Sequence, residues 1–117
     1  FRKIKNDKIF KIIGDGKNTR SFCHVDDHKK IAVALSESVN NDIVNIGFDH
    51  EIDINNLAKV MHNIFNRSFD PIYIKPRDYD TKRRCPDLSK IRKLLPEYKF
   101  TSLHLGILKT FNTNSEK

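Results

Sequence analysis

Short β-prone runs alternate with amphipathic helical segments along this chain, and this alternation restricts the fold more than any other feature of the sequence. The clearest helix is predicted over residues 54–66, where apolar side chains recur at three- and four-residue spacing and Asp53 can cap the first turn. The pattern predicts a mixed α/β unit of about four strands and four helices. Strands are expected at residues 9–13, 20–25, 43–46 and 72–74, and the other helices begin at Asp26, Asp87 and about Ser102.

The apolar faces of these helices indicate which side chains form the core. The expected core residues are Ile31, Leu35, Leu57, Met61, Ile64, Ile91, Leu94 and Ile107. A chain of 117 residues can fold as one domain around such a core. Residues 112–117 are rich in Asn, Ser and Lys, and we expect them to form a frayed tail.

The chain is basic, with 22 Lys and Arg residues against 15 Asp and Glu residues and a formal net charge of +7. Such a balance favours a phosphorylated or polyanionic partner. No apolar run approaches the roughly 20 residues of a membrane span, so no contact with a membrane is expected. Cys23 and Cys85 belong to no CxxC pair, which argues against a disulfide scaffold or a zinc module and favours a cytoplasmic location.

The motifs of a catalytic nucleotide-binding domain are absent from the sequence. The Gly14–Gly16 segment is too short for a GxxxxGK[ST] phosphate loop, and GxGxxG, GxSxG and Tyr-x-x-x-Lys have no match. We therefore expect no catalytic residue and no cofactor-binding residue in this chain.

Two histidines and two carboxylates lie close together in the sequence, at His24, Asp26, Asp27 and His28. On one helix, the two histidines would share a face and could ligate a metal. Because Asp26 and Asp27 are interpreted as caps at the start of a helix, however, His24 should precede that helix. This interpretation favours structural roles, and no metal site is predicted.

Four basic residues, Arg77, Lys82, Arg83 and Arg84, fall in one predicted loop, where guanidinium groups can converge on phosphate. A basic nucleic-acid-binding domain is one alternative. It is disfavoured because a nucleic-acid reader typically interleaves aromatic residues with such charges, and only Tyr79 lies nearby.

The motifs, taken in order, resemble a known family. Residues 12–27 read IIGDGKNTRSFCHVDD and resemble the GDG-x-x-x-R-x-F-x-x-V-x-D segment of the extended short-chain dehydrogenase/reductase superfamily, which includes nucleotide-sugar epimerases, 4,6-dehydratases and UDP-glucuronate decarboxylases. Further segments, at residues 44–47, 52–61, 77–80, 85–91 and 102–110, resemble that family's later motifs in the same order. The resemblance covers about residues 9–111.

The resemblance implies that residues 1–111 form a sugar-nucleotide-binding C-terminal domain, with the Rossmann half of the fold missing. In the family, NAD and the catalytic Tyr/Lys pair belong to that N-terminal Rossmann portion. The chain alone is therefore expected to bind no NAD and to be inactive, while the parent enzyme would use NAD. The implied partners are a nucleotide diphosphate sugar, the N-terminal portion and, for the full enzyme, a second copy. A truncated remnant that only binds remains an alternative.

Substrate-binding residues follow from the same resemblance. Arg20 and Arg77 match arginines that reach the diphosphate from two sides, and paired guanidinium groups suit a pyrophosphate. Ile12 and Ile13 match positions near the nucleotide base, although an apolar pair on a strand is also typical of a core. The chain departs from the family pattern at Tyr79, where the family usually has Gly.

Strand 43–46 would normally extend the Rossmann sheet of the family. Because that sheet is expected to be missing, the strand should expose apolar surface in this chain.

Overall fold

The structure is a computed structural model, and it describes residues 4, 9–38 and 41–115, with the backbone alone for residues 113–115. Within these residues the chain forms five short strands and four helices, which agrees with the predicted mixed α/β class. The elements are β1 (Lys11–Ile13), β2 (Thr19–Ser21), α1 (Val25–Ser38), β3 (Glu51–Asp53), α2 (Ile54–Ile64), β4 (Ile72–Ile74), β5 (Arg83–Arg84), α3 (Ser89–Leu94) and α4 (Leu103–Ser115).

The strands form two small sheets. In the first, β1 pairs with β4 in parallel. The second has the order β3-β2-β5, in which β2 runs antiparallel to β3 and parallel to β5. Strand β2 is thus held on both sides, and its register places Arg20 opposite Ile52 on β3 and opposite Arg84 on β5.

A glycine turn connects β1 to β2. Gly14 and Gly16 have φ angles of +75° and +72°, which residues with a side chain rarely adopt. A Cβ atom at Gly16 would also overlap the side chain of Asn55. Asn55 is on α2, and its Nδ2 donates to the carbonyl of Asp15 at 2.9 Å. The turn is therefore fixed to the first turn of α2, and this contact sets the direction in which the chain enters β2.

Helix α2 begins where the sequence predicts. Asp53 is the N-cap, and its Oδ1 accepts a hydrogen bond of 2.8 Å from the backbone N–H of Asn56. The buried residues of the helix are Ala58 and His62. Nδ1 of His62 lies 2.7 Å from the Ala58 carbonyl, and that nitrogen therefore carries the proton and donates.

The main core cluster joins α1 and α3. Of the predicted core residues, Ile31, Leu35, Ile91 and Ile107 are buried, whereas Leu57, Met61 and Ile64 are partly buried. The prediction for Leu94 is wrong, because its side chain is 42% exposed. Helix α3 has six residues and ends at Leu94; the residue that fills the core there is Leu88, directly before the helix.

Three further elements differ from the sequence-based expectation. Residues 43–46 form no strand within the described part of the chain, although Ile43 is 85% exposed, as expected for uncovered apolar surface. Strand β5 was not predicted. Helix α4 continues through Ser115, past the start of the expected frayed tail, and residues 116–117 lie outside the described residues. No helix among the described residues is both long and apolar enough to cross a membrane.

Candidate functional site

A cleft of about 620 Å³ lies beside β2 and β5, and we call it the basic cleft. Its walls contain three guanidinium groups, and no carboxylate is among the described residues that line it. The lining residues are Arg20, Ser21, Phe22, Arg83, Arg84, Cys85 and Pro86. A wall of this composition attracts anions, and the planar forks of arginine match phosphate oxygens.

Arg20 reaches the basic cleft from the central strand of its sheet and is held in place by two contacts. Its Nη1 donates to the Thr19 carbonyl at 2.7 Å, and its Nη2 donates to Oδ1 of Asp80 at 3.2 Å. The other Asp80 oxygen accepts a 2.8 Å hydrogen bond from Asn18. Since a guanidinium has five N–H donors, Arg20 keeps donors for a ligand while Asp80 orients it.

Arg83 is already neutralised within the protein. Its Nε lies 3.0 Å from both carboxylate oxygens of Glu51, and its Nη2 donates to Oε2 at 2.8 Å. Glu51 also accepts a 2.7 Å hydrogen bond from the Thr19 hydroxyl. The hydrogen bonds from Arg83 and then Thr19 hold the pKa of Glu51 below its ordinary value. This pair ties β5 to β3 across β2.

Arg77 lies in a different cleft. This second cleft, of about 720 Å³, opens between the glycine turn and the loop after β4, and its walls include Tyr73, Arg77, Asp80 and Lys82. Asp80 lines the second cleft and also binds Arg20, so it stands between the two. The structure thus places Arg20 and Arg77 in neighbouring clefts rather than in one.

The two isoleucines predicted to lie near a nucleotide base belong to β1. Ile12 is 2% exposed and pairs with Tyr73 of β4, while Ile13 is partly buried and pairs with Ile74. Neither lines the two clefts described above. Ile12 is a core residue of the small sheet.

The histidine and carboxylate cluster has structural partners. His24 precedes α1, as predicted, and its Nδ1 accepts a 3.2 Å hydrogen bond from the Asp26 N–H. The interpretation of Asp27 as a helix cap is wrong, because its buried carboxylate binds Tyr98 and Thr101. Across the residues that the structure describes, no three His, Cys, Asp or Glu side chains are grouped so that they could hold a metal ion.

A smaller apolar cavity of about 230 Å³ lies between α2 and α4, with Cys23, His24, Met61 and Ile107 in its wall. Burial, followed by the nearby charge of Asp27, raises the pKa of the Cys23 thiol. A protonated thiol is a poor nucleophile, so this cavity offers no activated cysteine.

Sequence reasoning placed Arg84 in a basic loop but did not assign it to the site. The register that places it beside Arg20 depends on the pairing of β5 with β2, and β5 has only two residues. The local signal in the sequence is the run of basic residues that ends at Arg84.

Comparisons with known proteins agree with this architecture. A model of the NAD dependent epimerase/dehydratase family matches residues 1–47. UDP-glucuronate 4-epimerase of Thermodesulfobacterium geofontis is 29% identical over 99% of this chain and 37% of its own length. UDP-N-acetyl-alpha-D-glucosaminuronate decarboxylase of Bacillus cytotoxicus is 30% identical over 85% of this chain and 33% of its own length. The chain thus spans about a third of the length of these curated relatives.

Solved structures show the same fold. UDP-glucuronic acid 4-epimerase from Bacillus cereus, in complex with UDP-glucuronic acid and NAD, is 31% identical with a TM-score of 0.77 over 91% of this chain and 36% of that one. UDP-glucose 4-epimerase from Thermotoga maritima, with UDP-glucose, is 25% identical with a TM-score of 0.83 over 96% of this chain and 37% of that one. The family model, the relatives and the solved structures agree with the motif order, and this chain belongs to the NAD-dependent epimerase/dehydratase family.

Proposed function

We propose that this chain is the nucleotide-sugar-binding portion of an NAD-dependent sugar epimerase, dehydratase or decarboxylase, with residues 1–111 as the binding domain. The observation that carries the proposal is the basic cleft, in which Arg20 is oriented by Asp80 and no described carboxylate faces the ligand space. The diphosphate of the nucleotide sugar occupies this cleft. Relatives whose names specify UDP-glucuronate and a UDP-linked uronic acid support a UDP-uronic acid as the ligand.

Further parts of the ligand extend from the diphosphate. Arg77 lies in the second cleft, on the other side of Asp80. Its long side chain reaches the diphosphate from there. The nucleotide base extends beyond the two clefts to Ile13 on β1, whereas Ile12 lies on the opposite face of that strand and stays in the core. This arrangement keeps the two arginines on opposite sides of one pyrophosphate, although each lines its own cleft.

The chemistry belongs to a partner portion that carries the NAD site and the catalytic Tyr/Lys pair. Those motifs are absent from the 117-residue sequence, so the chain alone binds no NAD and converts no nucleotide sugar. The partner portion covers the exposed surface at Ile43. The complete enzyme is a cytoplasmic homodimer that uses NAD.

Calorimetric titration of the 117-residue chain with UDP-glucuronate, UDP and NAD tests the proposal. We expect UDP and UDP-glucuronate to bind, NAD to show no heat of binding, and no product to form. Arg20→Gln should weaken UDP binding ten- to hundredfold, because a charge-assisted hydrogen bond is worth about 1.5–3 kcal/mol. Arg20→Lys should recover part of the affinity, since a point charge cannot reproduce the fork.

The matched control is Lys93→Gln, which removes one positive charge from α3, outside both clefts. This variant should bind UDP as the wild type does. Equal affinity of the Arg20→Gln and control variants would contradict the proposal, as would turnover by the isolated chain. Tighter binding of random oligonucleotides than of UDP would favour a nucleic-acid-binding domain instead.

A further inference from the structure

Arg84 and Arg20 occupy opposed positions on neighbouring strands. The parallel pairing of β2 with β5 places their Cα atoms in register, and adjacent strands lie about 4.8 Å apart. Side chains at paired positions project from the same face of a sheet, and both arginines line the basic cleft. Two guanidinium groups are therefore rooted side by side in one wall.

The three arginines of the basic cleft differ in how far the protein neutralises them. Arg83 makes a bidentate pair with Glu51, and Arg20 makes a single ion pair with Asp80 at 3.2 Å. Arg84 donates only a long hydrogen bond, 3.4 Å, to the Thr81 hydroxyl, and no carboxylate of the described residues pairs with it. The uncompensated charge of the cleft is thus located at Arg84.

We propose that Arg84 is a further ligand-binding residue of the basic cleft and that it takes one phosphate of the diphosphate while Arg20 takes the other. This inference rests on the proposed function. Adjacent phosphates share a bridging oxygen, so they are close enough to meet guanidinium groups rooted on neighbouring strands. Because no carboxylate of the described residues has to be displaced from the guanidinium of Arg84, the cleft selects a diphosphate over a monophosphate.

The selectivity can be measured with UDP and UMP, which differ by one phosphate. The wild-type chain should bind UDP about tenfold more tightly than UMP in calorimetric titrations at low salt. In Arg84→Gln, UDP affinity should fall about tenfold and UMP affinity less than twofold, so that the ratio approaches one. Arg84→Lys should restore part of the preference for UDP.

Two further variants separate this inference from the proposed function. Arg20→Gln should weaken both ligands, and Lys93→Gln should change neither; dispersed amide NMR signals will establish that each variant is folded. If Arg84→Gln binds UDP as the wild type does while Arg20→Gln does not, the role of Arg84 is wrong and the proposed function stands. An equal loss for UDP and UMP in Arg84→Gln would refute its assignment to the second phosphate. If all three variants bind UDP alike, the proposed function itself fails.

Discussion

Asp27 is a charged residue in the interior of the chain, and its hydrogen bonds explain how it is accommodated. The residue is 4% exposed, and its carboxylate accepts hydrogen bonds from the Tyr98 hydroxyl at 2.9 Å and from the Thr101 N–H at 2.8 Å and hydroxyl at 3.1 Å. Burial acts to raise the pKa of Asp27, but these hydrogen bonds outweigh burial and lower it. The network connects the first turn of α1 to the segment before α4.

The Tyr98→Phe substitution tests this network. It should destabilise the fold by about 2 kcal/mol at pH 7, since it removes one hydrogen bond to a charged group and leaves the ring in place. Because the folded-state pKa of Asp27 is lowered, the stability that its ionised form contributes is present at neutral pH and lost as the pH falls through that pKa. Urea unfolding should therefore show a smaller difference between variant and wild type at acid pH.

The control for Tyr98 is Tyr79→Phe, since Tyr79 is 98% exposed and should contribute nothing to stability. At the alkaline end, burial and the Asp27 contact raise the pKa of Tyr98 to about 12. The stability that the Tyr98 hydroxyl contributes to the fold is therefore fully present below pH 10 and is lost as the pH rises through about 12. A Tyr98→Phe effect that is identical at pH 2.5 and pH 7 would contradict the role of the ionised carboxylate.

Single residues could be predicted from the sequence only where their role is local or the motif specifies it. The motif order made Arg20 a candidate for substrate binding, and the structure places it in the wall of the basic cleft. The partners of Asp27 are Tyr98 and Thr101, more than seventy residues away, so local sequence indicated a cap instead. The position of Arg84 beside Arg20 likewise depends on strand pairing, which the composition of a basic loop does not reveal.

At the scale of secondary structure, α2 shows what a local signal can specify. Both oxygens of Asp53 bind Asn56, one at its backbone N–H (2.8 Å) and one at its side-chain amide (2.6 Å). Asp53→Ala should cost about 1 kcal/mol, because the first turn loses its cap. Asp53→Ser should retain most of the stability in urea unfolding. Equal losses in the two variants would show that the cap hydrogen bond is not the cause.

Strands were less predictable than helices, for a physical reason. A helix makes its hydrogen bonds within its own segment, whereas a strand needs a partner from elsewhere in the chain. Residues 43–46 have a β-prone sequence, yet among the described residues they pair with no strand. The two basic residues of β5 have no such pattern and still form a strand, because β2 offers them a free edge.

At the scale of the whole molecule, the chain is broad and flat. Its Cα radius of gyration is 16.7 Å, and its extents are 48 × 38 × 22 Å. A compact chain of this length would have a radius of about 13 Å. The open shape leaves large apolar side chains uncovered, among them Ile9, Val25, Val33 and Ile43, each more than 60% exposed. These features support the proposal that another portion packs against this chain.

The uncovered surface leads to a prediction about the isolated chain. We expect it to self-associate as its concentration rises and to bind a hydrophobic dye, because exposed apolar area favours contact between copies. Ile43→Lys should reduce both effects, and Lys93→Gln should reduce neither. Analytical ultracentrifugation over a hundredfold range of concentration is the measurement; a monomer throughout, with no dye binding, would argue against a covering portion.

The pairing of β2 with β5 also has a consequence for the order of events during synthesis. Arg20 leaves the ribosome long before Arg84, and the two meet only after the intervening helices have been made. A pairing between such distant segments has to wait until both have been made, whereas a helix forms within its own segment. A nascent chain that has just exposed β2 therefore has no basic cleft, and the diphosphate site that we propose there is completed late, when β5 reaches the free edge of that strand.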